Sequence, residues 1–477
     1  MAELNEKCAV MAVYSHTQPS ARLTYFGLSA LQHRGQESSG IVSGDGEGFI
    51  SHHGAGLVAQ VYSEDDLRKL EGHMAIGHNR YATSGGKLDR HMQPVHRGDD
   101  VISLAHNGNL PSTAALKEFL RDKKLLKRGS NDSEMMTDAI RYYMYQGKSV
   151  SDAIKAAWPL FTGAFSCVLL NHKGLYAFRD KHGIRPLSLG KIKDGYVIAS
   201  ETCAFDMIGA KLVRDIKPGE LVRIDKKGIT SWQIEEPDLK LEVFEFIYFA
   251  RPDSILAGKL VNEVRRKLGV QLALEQPVKA DVVIPVPDSA IPAALGYAHT
   301  LGIEFDHGLI KNRYIHRTFI EPTQEMRNRA VQMKLNPLPE HLAGKSVVLV
   351  DDSIVRGTTT QQIVKMLKSA GAREVHIRVS SPPVKYPDFY GIDTPDQAQL
   401  LASKMSVDEM KEHIHADSLG FLSYTGMIDA IGLPEDKLCT ACFSGVYPID
   451  LLERSNEVQP VTEHVVQRTI DTQKITV

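Results

Sequence analysis

Hydrophobic positions follow two regimes along this chain. Through the first half they form short runs that alternate with polar residues and stop at turn-forming clusters, the pattern of short β-strands. Cys8 is followed by one such run, Ala-Val-Met-Ala-Val-Tyr, and Ala164-Phe-Ser-Cys-Val-Leu-Leu170 reads as a core strand. From about residue 248 to 379 the runs lengthen and alternate with amphipathic helical segments. The strands there are Asp281-Val-Val-Ile-Pro-Val-Pro287, Val347-Val-Leu-Val350 and Val375-His-Ile-Arg-Val379. Residues 291–297 read as helix, and residues 361–370 place Ile363, Met366, Leu367 and Ala370 at helical spacing before Gly371. That order predicts a parallel sheet with crossover helices. Between the regimes, Ile224-Asp-Lys-Lys-Gly-Ile-Thr230 and Glu235-Glu-Pro-Asp-Leu-Lys240 are polar and turn-forming, which puts a domain boundary near residues 225–243.

The most informative stretch is the loop after Val350, Asp351-Asp-Ser-Ile-Val-Arg-Gly-Thr-Thr-Thr360. A loop between the carboxyl end of a buried strand and the amino end of a helix offers unpaired N–H groups and a positive dipole end. Ser353, Thr358 and Thr359 add hydroxyl donors, and Gly357 admits a ligand close to the backbone. Such a loop suits a phosphate monoester. Asp351 and Asp352 are poor phosphate neighbours and are expected to face ribose hydroxyls, a magnesium ion, or both. The Gly-Lys-Ser/Thr ending of a Walker loop and the three-glycine dinucleotide pattern are both missing.

Length and composition narrow the field. A chain of 477 residues is long for one core, and 43% hydrophobic with 24% charged residues argues against long disordered regions. The net charge of −2 gives no overall field for nucleic acid or an anionic membrane. No apolar run approaches the ~20 residues needed to span a bilayer. The opening residues, Met-Ala-Glu-Leu-Asn-Glu-Lys, are unlike a signal peptide, and five cysteines are too few and too irregular for a disulfide framework. These features point to a cytoplasmic protein.

Four ordered segments in the first half, Leu31-Gln-His-Arg-Gly-Gln-Glu37, Gly77-His-Asn-Arg-Tyr-Ala-Thr-Ser-Gly85, Ala105-His-Asn-Gly-Asn109 and Asn131-Asp-Ser-Glu134, resemble the glutamine amidotransferase domain whose nucleophile is an N-terminal cysteine. The Asp351 loop resembles the phosphoribosyl-diphosphate (PRPP) loop of type I phosphoribosyltransferases, and Pro285-Val-Pro-Asp-Ser-Ala290 resembles their diphosphate loop. The two halves in this order resemble the glutamine PRPP amidotransferases. Phe246-Ile-Tyr-Phe-Ala-Arg-Pro-Asp-Ser254 and Ala199-Ser-Glu-Thr-Cys-Ala-Phe-Asp206 strengthen the match.

The resemblance implies a mixed α/β and α+β protein. Residues 1–7 would be a propeptide, 8–235 a four-layer αββα Ntn-hydrolase glutaminase domain, 244–450 a type I phosphoribosyltransferase domain on a parallel sheet, and 451–477 a polar tail. It implies Cys8 as nucleophile with its freed α-amine as base, Asn107 and Gly108 as oxyanion donors, and Arg80 and Asp132 as grips on the glutamine head group. It assigns PRPP to Asp288, Ser289, Asp351, Asp352, Ser353, Gly357, Thr358 and Thr359, with magnesium at Ser289, Asp351 and Asp352. The capping of a helix by Ser289 is compatible with that role. The basic segment 311–329 resembles the loop that closes over bound PRPP. The expected reaction makes 5-phosphoribosylamine from glutamine, PRPP and water, in a homotetramer inhibited by purine nucleotides. A glutamine amidotransferase for another acceptor and a non-catalytic PRPP-sensing regulator are the alternatives. His33, His78 and His106 are expected to pack or hydrogen-bond, and Cys167 to be a core residue.

Some enzymes of this family hold a four-iron cluster on four cysteines. Cys439 and Cys442 match two of them, while Glu242 and Asp388 stand at the other two positions. Hard carboxylates are poor ligands for iron–sulfur iron, so no iron–sulfur cluster is expected. The two thiols are expected to be reduced and packed by apolar contacts. Zinc on Cys439, Cys442, His413 and His415 has no family support.

Overall fold

The run after Cys8 becomes the strand Ala9–Ser15, which is buried on both faces. Because successive side chains point to opposite faces, Ala9, Met11 and Val13 join the core beneath helix Ser20–Ala30, while Val10, Ala12 and Tyr14 join the core shared with a second sheet. Burial on both faces explains why the run reads as continuously apolar rather than alternating.

The computed structural model describes residues 8–81, 91–97, 101–312, 334–392, 394 and 396–461. The expected propeptide, residues 313–329 of the basic segment, residues 82–85 of the Gly77 motif and the tail from 462 lie outside the described residues.

Among the described residues, seven antiparallel strands form the first sheet, in the order Lys211–Asp215, Ser188–Ile192, Gly195–Ala199, Ala9–Ser15, Met74–Arg80, Ser38–Gly44, Phe49–Ala55. Six form the second, in the order Gly228–Gln233, Glu220–Asp225, Gly174–Arg179, Thr162–Asn171, Ser103–Ser112, Val95–His96. Helices Asp132–Tyr145 and Val150–Ala157 cover the outer face of the second sheet through Met136, Ile140 and Ile154. The layers are therefore helix, sheet, sheet, helix, with Cys167 at 0% exposure in the second sheet.

The second half is built on a parallel sheet, ordered Glu304–Phe305, Val282–Pro285, Ser346–Asp351, Glu374–Val379, Ser418–Phe421. Val283, Val348 and Val350 pack against helices Val261–Glu275 and Ile291–Leu301. Val282, Ile284, Val347 and Leu349 pack on the other face, against helices Thr358–Ser369 and Val407–Ile414. Helix Thr358–Ser369 starts three residues before the expected 361. Gly357, at φ +78°, turns the chain into it directly, and a Cβ there would meet Leu401 Cδ2 at 2.7 Å.

The two halves meet over buried ions. The Arg34 guanidinium donates to Glu201 through Nε and to Glu245 through Nη2, and Arg185 Nη2 lies 2.9 Å from Glu245 Oε1. Glu201 also accepts from the Arg251 backbone N–H at 2.8 Å and the Ser254 hydroxyl at 2.6 Å. Glu201 is thus tied both to its own domain and to the start of the next.

Candidate active sites

Strand pairing assembles the first site. Ala9 lies opposite Asn79, so Cys8, half-buried at the strand's start, comes to the end of the strand that carries Arg80. Arg80 in turn lies opposite Ser38. The Ser200 hydroxyl accepts from the Val10 N–H at 2.9 Å and from Asn107 Nδ2 at 3.4 Å. It thereby joins the strand that follows Cys8 to the second sheet beside the expected oxyanion position.

Gly108 follows at φ +150°, with a Cβ there only 2.0 Å from the Ala164 carbonyl oxygen, so no other residue fits. Asp132 opens its helix inside a capping box. Asn131 accepts from the Glu134 N–H at 2.8 Å, and Glu134 accepts from the Asn131 N–H at 3.0 Å. The Asp132 carboxylate accepts from the Leu110 N–H at 3.4 Å, which sets it next to the Asn107–Asn109 segment.

Histidines brace this arrangement. His78 Nε2 is 3.2 Å from the His106 carbonyl oxygen, a partner that requires the ring proton on Nε2. Burial lowers His78 to about 3, so the ring is neutral. His106 Nδ1 lies 3.1 Å from the Ser133 hydroxyl, and His33 Nε2 lies 2.7 Å from Glu201.

The second site lies at the carboxyl end of the parallel sheet. Asp351 ends its strand, and Asp351, Asp352 and Ser353 are each 2% exposed or less. Ser289 donates to Asp352 Oδ2, and Ser353 donates to Asp352 Oδ1 at 2.8 Å. The 285–290 loop and the 351–360 loop are thereby tied. Ser289 does not cap the next helix: Ala290 holds the cap position, and the serine hydroxyl is engaged with Asp352 instead. Asp288 is exposed and pairs with Lys311 Nζ at 3.0 Å. Gly357, Thr358 and Thr359 form the loop-to-helix junction, with Thr358 and Thr359 as the first helical residues.

Ser289 and Asp352 are in contact, and with Asp351 next in the chain they offer oxygen donors of the kind magnesium takes. Burial raises the Asp352 carboxyl and the Ser289 hydroxyl opposes it, and a cation at the site would favour the charged carboxylate. The donor set fits magnesium.

The Cys439 region differs in kind. Cys439 and Cys442 are buried, and burial pushes both thiols up. Glu242 pairs in register with Cys439, and Asp388 contributes a second buried carboxyl. The thiols are therefore packed against a carboxyl pair as well as apolar groups, a departure from the expected apolar setting. Among the described residues, no three His, Cys, Asp or Glu side chains are grouped to hold a metal ion.

Sequence reasoning did not assign Arg34, Glu201, Glu245 or Ser200. Arg34 and Glu201 sit inside quoted motifs, but their pairing spans 167 positions and leaves no local periodic trace.

Residues 78–207 match the glutamine amidotransferase domain family, and residues 253–382 match the phosphoribosyl transferase domain family. An amidophosphoribosyltransferase of Synechococcus elongatus is 47% identical over 467 residues, covering 96% of this chain and 95% of that protein. One from Bacillus subtilis is 43% identical over 458 residues, 94% of this chain and 96% of that one. The solved structure of the B. subtilis glutamine PRPP amidotransferase complexed with ADP and GMP aligns with a TM-score of 0.87 at 43% identity, covering 93% of this chain and 98% of that one. A second solved structure, of the allosteric regulatory enzyme of purine biosynthesis, aligns with a TM-score of 0.88 at 42% identity, covering 98% of this chain and all of that one.

Proposed function

The chain belongs to the amidophosphoribosyltransferase family, and on that premise we propose how its residues divide one reaction between two domains. The enzyme converts glutamine, PRPP and water to 5-phospho-β-D-ribosylamine, glutamate and diphosphate, the first committed step of purine biosynthesis. The observation that carries this reading is near-full-length identity to enzymes of that activity, with both domain families matched in order.

In the glutaminase half, residues 1–7 are removed and the freed α-amine of Cys8, a group that ordinarily titrates at ~8, takes the thiol proton. The thiolate attacks the side-chain amide carbon, held by Arg80 at the α-carboxylate and Asp132 at the α-ammonium. Asn107 Nδ2 and the Gly108 N–H donate to the oxyanion, each worth about 3 kcal/mol in the transition state. Collapse expels ammonia and leaves a thioester, which water cleaves to glutamate.

In the transferase half, the 353–359 loop and its helix end hold the 5-phosphate, and the 288–289 loop holds the diphosphate. Ser289, Asp351 and Asp352 would hold magnesium, which would neutralise diphosphate charge. Ammonia passes internally to C1 of PRPP, forming the C–N bond as the C–O bond to diphosphate breaks. Sequestration keeps it from protonation in bulk water. The ribbon of Leu309–Lys311 with Leu335–Pro337 pairs the described strands on either side of residues 313–333, and Lys311 reaches Asp288. This supports a cover over the diphosphate.

The nucleotide-bound B. subtilis relative supports purine nucleotides as feedback inhibitors. No helix among the described residues is long and apolar enough to cross a membrane. Carboxylates at 242 and 388 support an enzyme without an iron–sulfur cluster. Glutamine-dependent release of diphosphate from PRPP tests the whole reading. A regulator would release none, and an amidotransferase for another acceptor would form glutamate without consuming PRPP.

A further inference from the structure

The loop that follows Asp388 belongs to the transferase half, yet it touches the glutaminase site. Asp388 is 7% exposed, and its Oδ1 accepts from the Tyr390 N–H at 2.9 Å and the Ile392 N–H at 2.7 Å. Its own N–H donates to the Thr394 hydroxyl at 2.6 Å. One carboxylate oxygen thus fixes the whole turn 388–392.

That turn makes two contacts with the strand that carries Asn107 and Gly108. The Phe389 carbonyl accepts from Asn109 Nδ2 at 2.8 Å. Gly391, at φ +123°, lies so close to Gly108 that a Cβ on it would sit 3.3 Å from Gly108 Cα. On its other side Gly108 is backed by the Ala164 carbonyl. Gly108 is therefore clamped between its neighbouring strand and a loop of the other domain. Phe389 and Tyr390 are buried with Ala164 and Ile184 of the first half and with Cys439 and Leu451 of the second. The Tyr390 hydroxyl donates to the Ile449 carbonyl at 2.6 Å, which anchors the turn on the transferase side.

An oxyanion donor acts only if it already points at the position where charge develops, and small misplacements cost rate rather than binding. We propose that Asp388 is a positioning residue for glutamine hydrolysis, acting through the 389–392 turn on Asn109 and Gly108 across the domain interface. The inference rests on the assignment of Asn107 and Gly108 as oxyanion donors. It means that the amidotransferase half does not complete its own oxyanion site. The transferase half supplies the backing.

The test uses the full-length enzyme and measures glutamine kcat and KM, ammonia-dependent synthesis and melting temperature. Asp388→Ala should lower glutamine kcat at least ~10-fold, with KM for glutamine changed by less than ~2-fold and ammonia-dependent synthesis retained. Asp388→Asn keeps an oxygen acceptor at Oδ1 and should restore most of that kcat. Asn109→Ala, which cuts only the Phe389 link, should show the same split, and the double variant Asn109→Ala/Asp388→Ala should lose no more than the worse single one. If Asp388→Ala does not fold, Asn109→Ala decides alone. Wild-type glutamine kcat in the folded alanine variants overturns the proposal. So does parallel loss of both activities, or equal loss in Asp388→Ala and Asp388→Asn. Asn107→Ala separates the premise: retained glutaminase activity there would sink the oxyanion assignment itself.

Discussion

Arg34, just after the first helix of the amidotransferase half, and Glu245, just after the crossing into the transferase half, form an ion pair in which neither side chain is more than 1% exposed. Glu201, also fully buried, shares the same guanidinium. Burial opposes ionisation of Glu201, and the charges of Arg34 and His33 outweigh it, so its carboxyl sits well below the ordinary range.

Removing Arg34 takes away the cation that Glu201 and Glu245 share, and leaves Glu201 to His33 and Glu245 to Arg185. Arg34→Met should destabilise the protein by about 3–5 kcal/mol, read by chemical denaturation. Arg34→Met with Glu201→Gln and Glu245→Gln should recover part of that loss. A single variant as stable as the parent would mean the buried charges are compensated elsewhere.

Cys8→Ala should reduce glutamine-dependent synthesis more than ~1000-fold and leave ammonia-dependent synthesis in place, because the two chemistries occupy different domains. The intact mass of active enzyme should correspond to a chain beginning at Cys8. Full glutaminase activity in protein that retains residues 1–7 would rule out the α-amine as base.

Asp351→Asn and Asp352→Asn should each lower transfer to PRPP about 100-fold or more, with basal glutamine hydrolysis spared. Ammonia-dependent diphosphate release measures the first effect and glutamate formation without PRPP the second. Unchanged transfer in both variants would put the ribose and metal elsewhere.

Glu242 carries a pH signature. Burial, and then the charge of Asp388, push its carboxyl from 4.5 up to about 8. Below pH 4.5 folded and unfolded chains both hold the proton. Between 4.5 and about 8 only the folded chain does, so this contribution to stability is lost as pH rises through that window. Glu242→Gln should therefore raise stability at pH 8.5 by on the order of 1 kcal/mol or more, and much less at pH 5, read by chemical denaturation at the two pH values. A constant difference across that range would show that Glu242 does not titrate there.

The purified protein should be colourless and stable to oxygen. Iron and acid-labile sulfide analysis on anaerobically prepared enzyme is the check, and stoichiometric amounts of both would contradict it.

The strands were legible because each carries its burial in its own residues. The run Val347–Val348–Leu349–Val350 is apolar throughout because alternate members serve cores on opposite faces of the sheet. The start of the helix at Thr358 was not legible, since three threonines carry no apolar period and only Gly357 marks the turn. Asp351 and Asp352 sit inside a compact motif, so their place at the carboxyl end of a buried strand was legible in the sequence. The Ser200 bridge and the turn at Asp388 were not. Each acts by closing a gap between segments 90 to 280 positions apart, as in the Ser200–Asn107 and Asn109–Phe389 bonds at 93 and 280.

The strand Ala9–Ser15 pairs with Gly195–Ala199 on one side and Met74–Arg80 on the other. Chain ends ordinarily fray, because a terminal residue loses much freedom on ordering and gains few contacts in return. A terminus created at Cys8 would instead start one residue before a strand hydrogen-bonded along both edges. The nucleophile and its amine would then be as fixed as side chains in the middle of a domain, although they stand at the free end of a polypeptide.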